Sequence, residues 1–282
     1  FEVLRPTLSD KSKEGSALFL GTPRGYGNWS YNLFTKQETD NNWKSFKYTT
    51  LDGGQVSANE IEQAKQDLDE RTFKQEYLSD FVNYSGAIYY NFNREENVLK
   101  EYIPSSNTIH IGVDFNLDPM SAVVSEVKQD YLYVYDEIVI YGSNTDELVE
   151  EINNRYSGKH IFVYPDPASK QRKTSAGGRT DLSILKNAGY NVRVRNAHPL
   201  VRDRINAVNT KLKNTKGVRT LFIANKCKNV IKSIERQIYK EGTSLPDKEN
   251  NYDHMNDALG YLIEFLYPIR THFKPSPPKR FS

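Results

Sequence analysis

From residue 108 onward the apolar positions fall into three short β-like runs, Ile109–Phe115, Ser121–Val127 and Tyr131–Ile140, separated by the turn-like stretches Asn116–Pro119 and Lys128–Asp130. Runs this closely spaced predict an antiparallel meander. The period then changes. A helix is expected over Asp146–Tyr156, a strand over Ile161–Tyr164, a helix over Asp181–Asn187 stopped by Gly189, a strand over Asn191–Val194 and a helix over Val201–Leu212. A last helix, Tyr252–Leu266, carries an apolar stripe of Met255, Ala258, Leu259, Leu262, Ile263 and Leu266. A meander followed by alternating helices and strands predicts an α/β fold with a mixed five-strand sheet, part antiparallel and part parallel, covered by helices.

The first 85 residues have their own pattern. A strand is expected at Ala17–Leu20, then a Gly-rich turn at Gly21–Gly27, a helix near Asn28–Thr35 and a strand at Phe46–Leu51. A long polar helix follows from Ser57 to Asp80, where Ser57 and Glu60 have the spacing of a capping box. The division predicted is an N-terminal unit over 1–85, a linker packed on its neighbours over 86–107, a main domain over 108–268, and a tail over 269–282 rich in proline and basic residues and expected to be disordered.

Composition narrows the function. No stretch approaches the roughly 18 consecutive apolar residues of a membrane span. The single cysteine, Cys227, excludes an internal disulfide and reads as a small core residue on a helix. The chain begins at Phe1 with neither an initiator methionine nor a signal sequence, and it reads as intracellular and truncated. Its net charge of +2 hides an asymmetry, since residues 167–240 carry +15 and the remainder −13. Such a basic block fits a polyanion, with Lys170, Arg172, Lys173, Arg179, Arg202, Arg204, Lys211 and Lys213 as the residues expected to meet nucleic-acid phosphates.

The acids carry the chemistry. Asp114 ends the first apolar strand and Asp166 ends the strand Ile161–Tyr164, positions where a buried run least tolerates a charge. Adjacent strands would bring the two carboxylates to one sheet edge, an arrangement stable only with a shared proton or cation. The last helix adds Asp253, Asp257 and Tyr261 along one side, with His254 at its edge. The first of these also reads as a helix-start acid. Asp118 in the turn after Asp114, and Glu137 in the third strand, are secondary candidates. With oxygen donors and no Cys/His cluster, the set suits Mg²⁺ or Mn²⁺ rather than Zn²⁺. The Gly-rich turn resembles a phosphate-cradling loop, but the chain has no G-x-x-x-x-G-K-[ST] segment.

Taken together, Gly21-Thr22-Pro23, Asp114 in Gly112-Val113-Asp114-Phe115, Asp166 in Tyr164-Pro165-Asp166-Pro167 and Asp253-His254-x-x-Asp257-Ala258-x-x-Tyr261 resemble the large terminase subunit of tailed bacteriophages. Leu4-Arg5-Pro6 with Asp10 resembles the stretch that follows that family's acidic ATPase motif.

The resemblance implies a ribonuclease H-like nuclease domain preceded by part of a P-loop ATPase unit, with Gly21, Thr22 and Pro23 in its coupling motif. It implies Asp114, Asp166 and Asp257 as ligands of two ions roughly 3.5–4 Å apart, accompanied by His254. The activity implied is cutting of concatemeric viral DNA in the cytoplasm of an infected bacterium. The partners implied are double-stranded DNA, a small terminase subunit and the portal of a procapsid. ATPase activity is not expected where the phosphate loop is absent. A transposase, integrase or junction resolvase would use the same sheet, although the Gly-Thr-Pro segment argues against it. A DNA-binding scaffold would use only the basic block.

Overall fold

The computed structural model describes residues 15–23, 29–82, 86–116, 118–167, 179–241 and 243–269. Its centre is a seven-stranded sheet in the order β1-β7-β4-β3-β2-β5-β6. Strands β2 (Thr108–Asp114), β3 (Met120–Lys128) and β4 (Tyr131–Ile140) form the expected antiparallel meander. The next strands, β5 (His160–Pro165) and β6 (Asn191–Val192), continue it in parallel beyond β2. These are the five predicted strands.

Two more extend the other edge. β7 (Leu221–Ala224) runs parallel to β4, and β1 (Val98–Leu99), which follows the short helix α4 (Arg94–Asn97) in the predicted linker, runs parallel to β7. Helices α5 (Thr145–Tyr156), α6 (Asp181–Asn187) and α7 (Val201–Leu212) match their expected spans closely. Helix α8 (Lys228–Arg236) was expected only as a helix bearing Cys227, without bounds, because Lys228, Lys232 and Arg236 read as part of a basic block. They are instead the wet side of a helix that buries Val230, Ile231 and Ile234.

Helix α9 (Asp253–Leu266) lies across β2, β3 and β5. Its approach depends on Gly112, where a Cβ would stand 2.1 Å from the Ala258 carbonyl oxygen and 2.9 Å from the Leu262 Cβ. Because strand side chains alternate, His110, Gly112 and Asp114 share the α9 face. Phe162 and Tyr164 do the same on β5, and Tyr164 meets Phe265 of α9 at 5.4 Å between ring centres. Ile109, Ile111, Val113, Ile161 and Val163 point the other way into the same continuous core as Leu148 and Ile152 of α5 and Leu185 of α6.

The N-terminal unit differs from expectation. Neither Ala17–Leu20 nor Phe46–Leu51 is a strand, since neither finds a ladder partner among the described residues. Leu18, Leu20, Phe46 and Tyr48 stand exposed. Helix α1 (Trp29–Thr35) is present. The single long helix is broken into α2 (Ala58–Asp67) and α3 (Glu70–Tyr77). Leu68 leaves the helical region, and Asp69 caps α3 by accepting from the backbone N–H groups of Arg71 and Thr72. The expected Ser57 cap on α2 is made, accepting from Glu60 N.

The pair has a small core of Ile61, Ala64, Leu68 and Phe73. It is tied to the main body by hydrogen bonds from Tyr90 to Asp69 and from Thr215 N to the Leu68 carbonyl. Cys227 is buried as expected but sits at the N-cap of α8 rather than within a helix. Burial pushes its thiol up to about 12.

Candidate active site

The parallel register of β2 and β5 pairs Val113 with Pro165, so Asp114 and Asp166 stand level at the carboxyl ends of neighbouring strands. The Asp166 N–H donates to the Val113 carbonyl at 3.2 Å, which fixes that level. Neighbouring strands lie roughly 4.8 Å apart, so the two carboxylates leave one corner of the sheet side by side. The third acid arrives from above. With Ala258 resting on Gly112, Asp257 is held over the strand ends.

Each acid meets a basic partner. Asp114 Oδ2 is 3.1 Å from His254 Nδ1, and that nitrogen is also 2.9 Å from Asn116 Nδ2. It can donate to the carboxylate or accept from the amide, not both at once. The hydrogen bond to Asp114 raises the His254 pKa, and Asp253 adds to the effect against the opposing effect of burial. Asp166 Oδ1 is 3.3 Å from His198 Nδ1. Asp257 Oδ1 is 3.0 Å from Arg204 Nη1. Burial pushes the Asp257 carboxyl up to about 6; the Arg204 charge acts against this and the Asp114 charge with it.

Tyr261 is the common neighbour. Burial raises its hydroxyl pKa first, and the charges of Asp166, Asp257 and Asp114 all add to the rise. Asp253 is buried, with Oδ2 3.3 Å from Lys248 Nζ; its Oδ1 lies 3.9 Å from His254 Nε2 and has no hydrogen-bond partner among the described residues. Among the described residues no three His, Cys, Asp or Glu side chains are gathered tightly enough to enclose an ion, since Asp166 is turned to His198 and Asp257 to Arg204.

The sequence-derived candidates therefore divide. Asp114, Asp166, Asp257, His254 and Asp253 are brought to one corner. Asp118 lies exposed in the turn beyond it. Glu137 is corrected: its carboxylate accepts from Asn229 N, Asn229 Nδ2 and Val230 N at 2.8–3.0 Å and caps α8.

Two of the basic residues assigned to DNA are turned inward, a second correction. Arg204 is buried against Asp257. Lys211 Nζ lies 3.3 Å from the Tyr267 ring centre and donates to the Asp130 carbonyl, and burial lowers its pKa to about 8. Arg202 faces Glu76 at 3.7 Å, Arg179 pairs with Asp146 at 3.0 Å, and Lys213 is exposed. Lys170, Arg172 and Lys173 lie outside the described residues, as do Leu4-Arg5-Pro6, Asp10 and most of the tail. Gly21 and Thr22 are exposed and Pro23 is buried. His198 was missed, and Arg204, expected to meet phosphates, was not expected beside the acids. Neither belongs to a periodic pattern, and only the folded chain puts the loop before α7 and the first turn of α7 beside the acids.

A mixed sheet whose central strands end in carboxylates, with a third supplied by a helix laid across them, defines a ribonuclease H-like domain. The family profile described as the terminase RNaseH-like domain matches residues 111–265, and the chain belongs to that family. It is 29% identical over 183 residues to the terminase large subunit of Escherichia phage T5, covering 60% of this chain and 41% of that protein. It is similar in fold to the large terminase of a thermophilic bacteriophage, with TM-score 0.66 and 19% identity, over 86% of this chain and 61% of that one. The structure of that thermophilic terminase in complex with ATP-gamma-S gives TM-score 0.67 at 19% identity, over 87% and 62%. The chain thus spans less than two thirds of either relative. No helix of the described residues is long and apolar enough to cross a membrane.

Proposed function

We propose that this chain is the nuclease-bearing part of a large terminase subunit and cuts concatemeric viral DNA by metal-dependent phosphodiester hydrolysis during genome packaging. The observation that carries the reading is the placement of Asp114 and Asp166 level on adjacent strand ends, with Asp257 held over them by the close crossing at Gly112. The donor chemistry fits a hard cation. The acids offer carboxylate oxygens, and Asp253 Oδ1 is buried without a hydrogen-bond partner among the described residues.

Asp114, Asp166 and Asp257 would hold two Mg²⁺ or Mn²⁺ ions, which when bound supply a water of lowered pKa and stabilise the leaving 3′-oxygen. For this Asp166 must turn from His198, and Asp257 must offer the oxygen that Arg204 does not hold. His254, held by Asp114, orients water or carries a proton at Nδ1. Lys213, Arg179 and the segment bearing Lys170, Arg172 and Lys173 would meet duplex phosphates, which gives affinity with little sequence preference. Gly21, Thr22 and Pro23 would belong to the coupling motif of an ATPase unit over 1–85. The partners in this reading are a small terminase subunit and a portal, and the place of action is the host cytoplasm.

Nicking of supercoiled plasmid in Mn²⁺, Mg²⁺ or EDTA, compared with the Asp257→Asn variant, tests the proposal. Metal-dependent cutting that disappears in the variant supports it. Absence of cutting with either metal, or equal cutting by both proteins, overturns it.

A further inference from the structure

The acids at the sheet corner concentrate negative charge in a place where water screens it poorly. Asp114, Asp253 and His254 are buried and Asp257 partly so. Besides His254, two cations feel Asp257. Lys248 keeps its ammonium in solvent, with 68% of its side chain exposed. Arg204 is different. Its side chain is 8% exposed, its guanidinium lies 4.3 Å from the Tyr261 ring centre, and Nη1 reaches Asp257 Oδ1 at 3.0 Å.

The stem of Arg204 runs along the bare backbone of Gly260, where a Cβ would meet Arg204 Cβ at 3.5 Å. Its Nε has no hydrogen-bond partner among the described residues, and its Nη1 meets Asp257 as an ion pair without hydrogen-bond geometry. A buried arginine so sparsely hydrogen-bonded needs an electrostatic reason to be there, because burying an uncompensated guanidinium is costly. The acids supply that reason.

We propose that Arg204 is the resident counter-cation of the carboxylate cluster. It holds one oxygen of Asp257, leaves the other free to face Asp114, and lowers the affinity of the cluster for a divalent cation. The last clause rests on the metal-dependent reading above; the first two do not. A cation sharing the Asp257 carboxylate with a guanidinium is repelled by it, and even with water-like screening a double and a single charge a few ångströms apart lose about tenfold in affinity. Arg204 is thus a positioning residue that keeps the acids folded together when no ion is bound and makes metal binding weak.

The test uses the whole chain as wild type, Arg204→Met, Arg204→Lys and the double variant Arg204→Met with Asp257→Asn. Unfolding is followed in EDTA and Mn²⁺ binding by calorimetric titration. In EDTA, Arg204→Met is expected to melt roughly 10 °C below wild type, or not to fold. The double variant is expected to recover at least half of that loss, because the orphaned charge is gone. Arg204→Met is expected to bind Mn²⁺ about tenfold more tightly than wild type, and Arg204→Lys within about twofold.

A merely structural arginine would give the opposite sign, with looser metal binding as the site loosens. A double variant no more stable than Arg204→Met, or one equally unable to fold, overturns the counter-cation role. Equal or weaker Mn²⁺ binding by folded Arg204→Met overturns the effect on affinity. If wild type itself binds no Mn²⁺ at millimolar concentration, the metal-dependent function fails and the affinity clause with it. The EDTA comparison then decides the counter-cation role alone.

Discussion

Replacing Gly112 with alanine would set a methyl group 2.1 Å from the Ala258 carbonyl oxygen, with the Leu262 Cβ at 2.9 Å. Ordinary contact needs roughly 1 Å more than the first of these distances. Both obstructing atoms belong to α9, so the strain is relieved only by moving that helix off the sheet. Overpacking of this kind costs about 1–3 kcal/mol, a fall in Tm of roughly 2–10 °C for a chain of this size.

The same retreat carries Asp257 away from Asp114 and Asp166 by about 1 Å, a misplacement worth on the order of a hundredfold in rate. Differential scanning fluorimetry in EDTA and Mn²⁺-dependent plasmid nicking would read the two effects. Gly53→Ala serves as the control, since its new Cβ meets nothing nearer than 3.6 Å. A Gly112→Ala protein that melts with wild type and nicks at the wild-type rate would refute the close crossing as the device that sets the acids. A lowered Tm with full nicking would refute only its link to cutting.

Three further outcomes follow from the same geometry. Asp257 has a folded-state pKa of about 6 against 3.8, so its contribution is fully present below pH 3.8 and is lost as pH rises through 6. The raised pKa of His254 acts in the same direction, with stability present below 6.5 and lost above its folded value. In EDTA, urea unfolding should therefore show wild type losing about 2 kcal/mol more than Asp257→Asn between pH 4 and 7; equal losses would contradict the shift. Glu137→Gln should lower stability by about 1–2 kcal/mol by weakening the α8 cap while leaving the metal dependence of nicking as in wild type; loss of cutting at full stability would return Glu137 to the site. Tyr90→Phe leaves buried Asp69 short of a donor, and chemical denaturation should register a cost of about 1–3 kcal/mol.

Much of the main domain could be read from local pattern. The meander is visible because its strands are consecutive and bounded by turns, and α9 because its apolar stripe is regular. The acids could be found because a charge at the end of a buried run is conspicuous. Strands β1 and β7 were missed because they are only two and four residues long, and their partners lie far off in sequence. The two expected N-terminal strands fail for the converse reason: Ala17–Leu20 and Phe46–Leu51 have strand-like composition, but a strand exists only where a neighbour completes its ladder. Glu137 and Arg204 show the limit of charge as a guide. The first caps a helix whose start had not been recognised, and the second, counted among the phosphate-binding residues, turns inward to a carboxylate 53 positions further along the chain.

The edge strand β1 has a practical consequence for anyone dividing this protein. The segment ahead of residue 108, expected to be a linker packed on its neighbours, contributes Ile88 and Tyr89 to the main core and Val98 and Leu99 to the sheet. An expression fragment begun at 108 would leave the outer side of β7 bare, open a hole under Ile88 and invite the exposed edge to pair with another copy. Begun at 86, the same fragment would keep its own border strand and the plug beneath it.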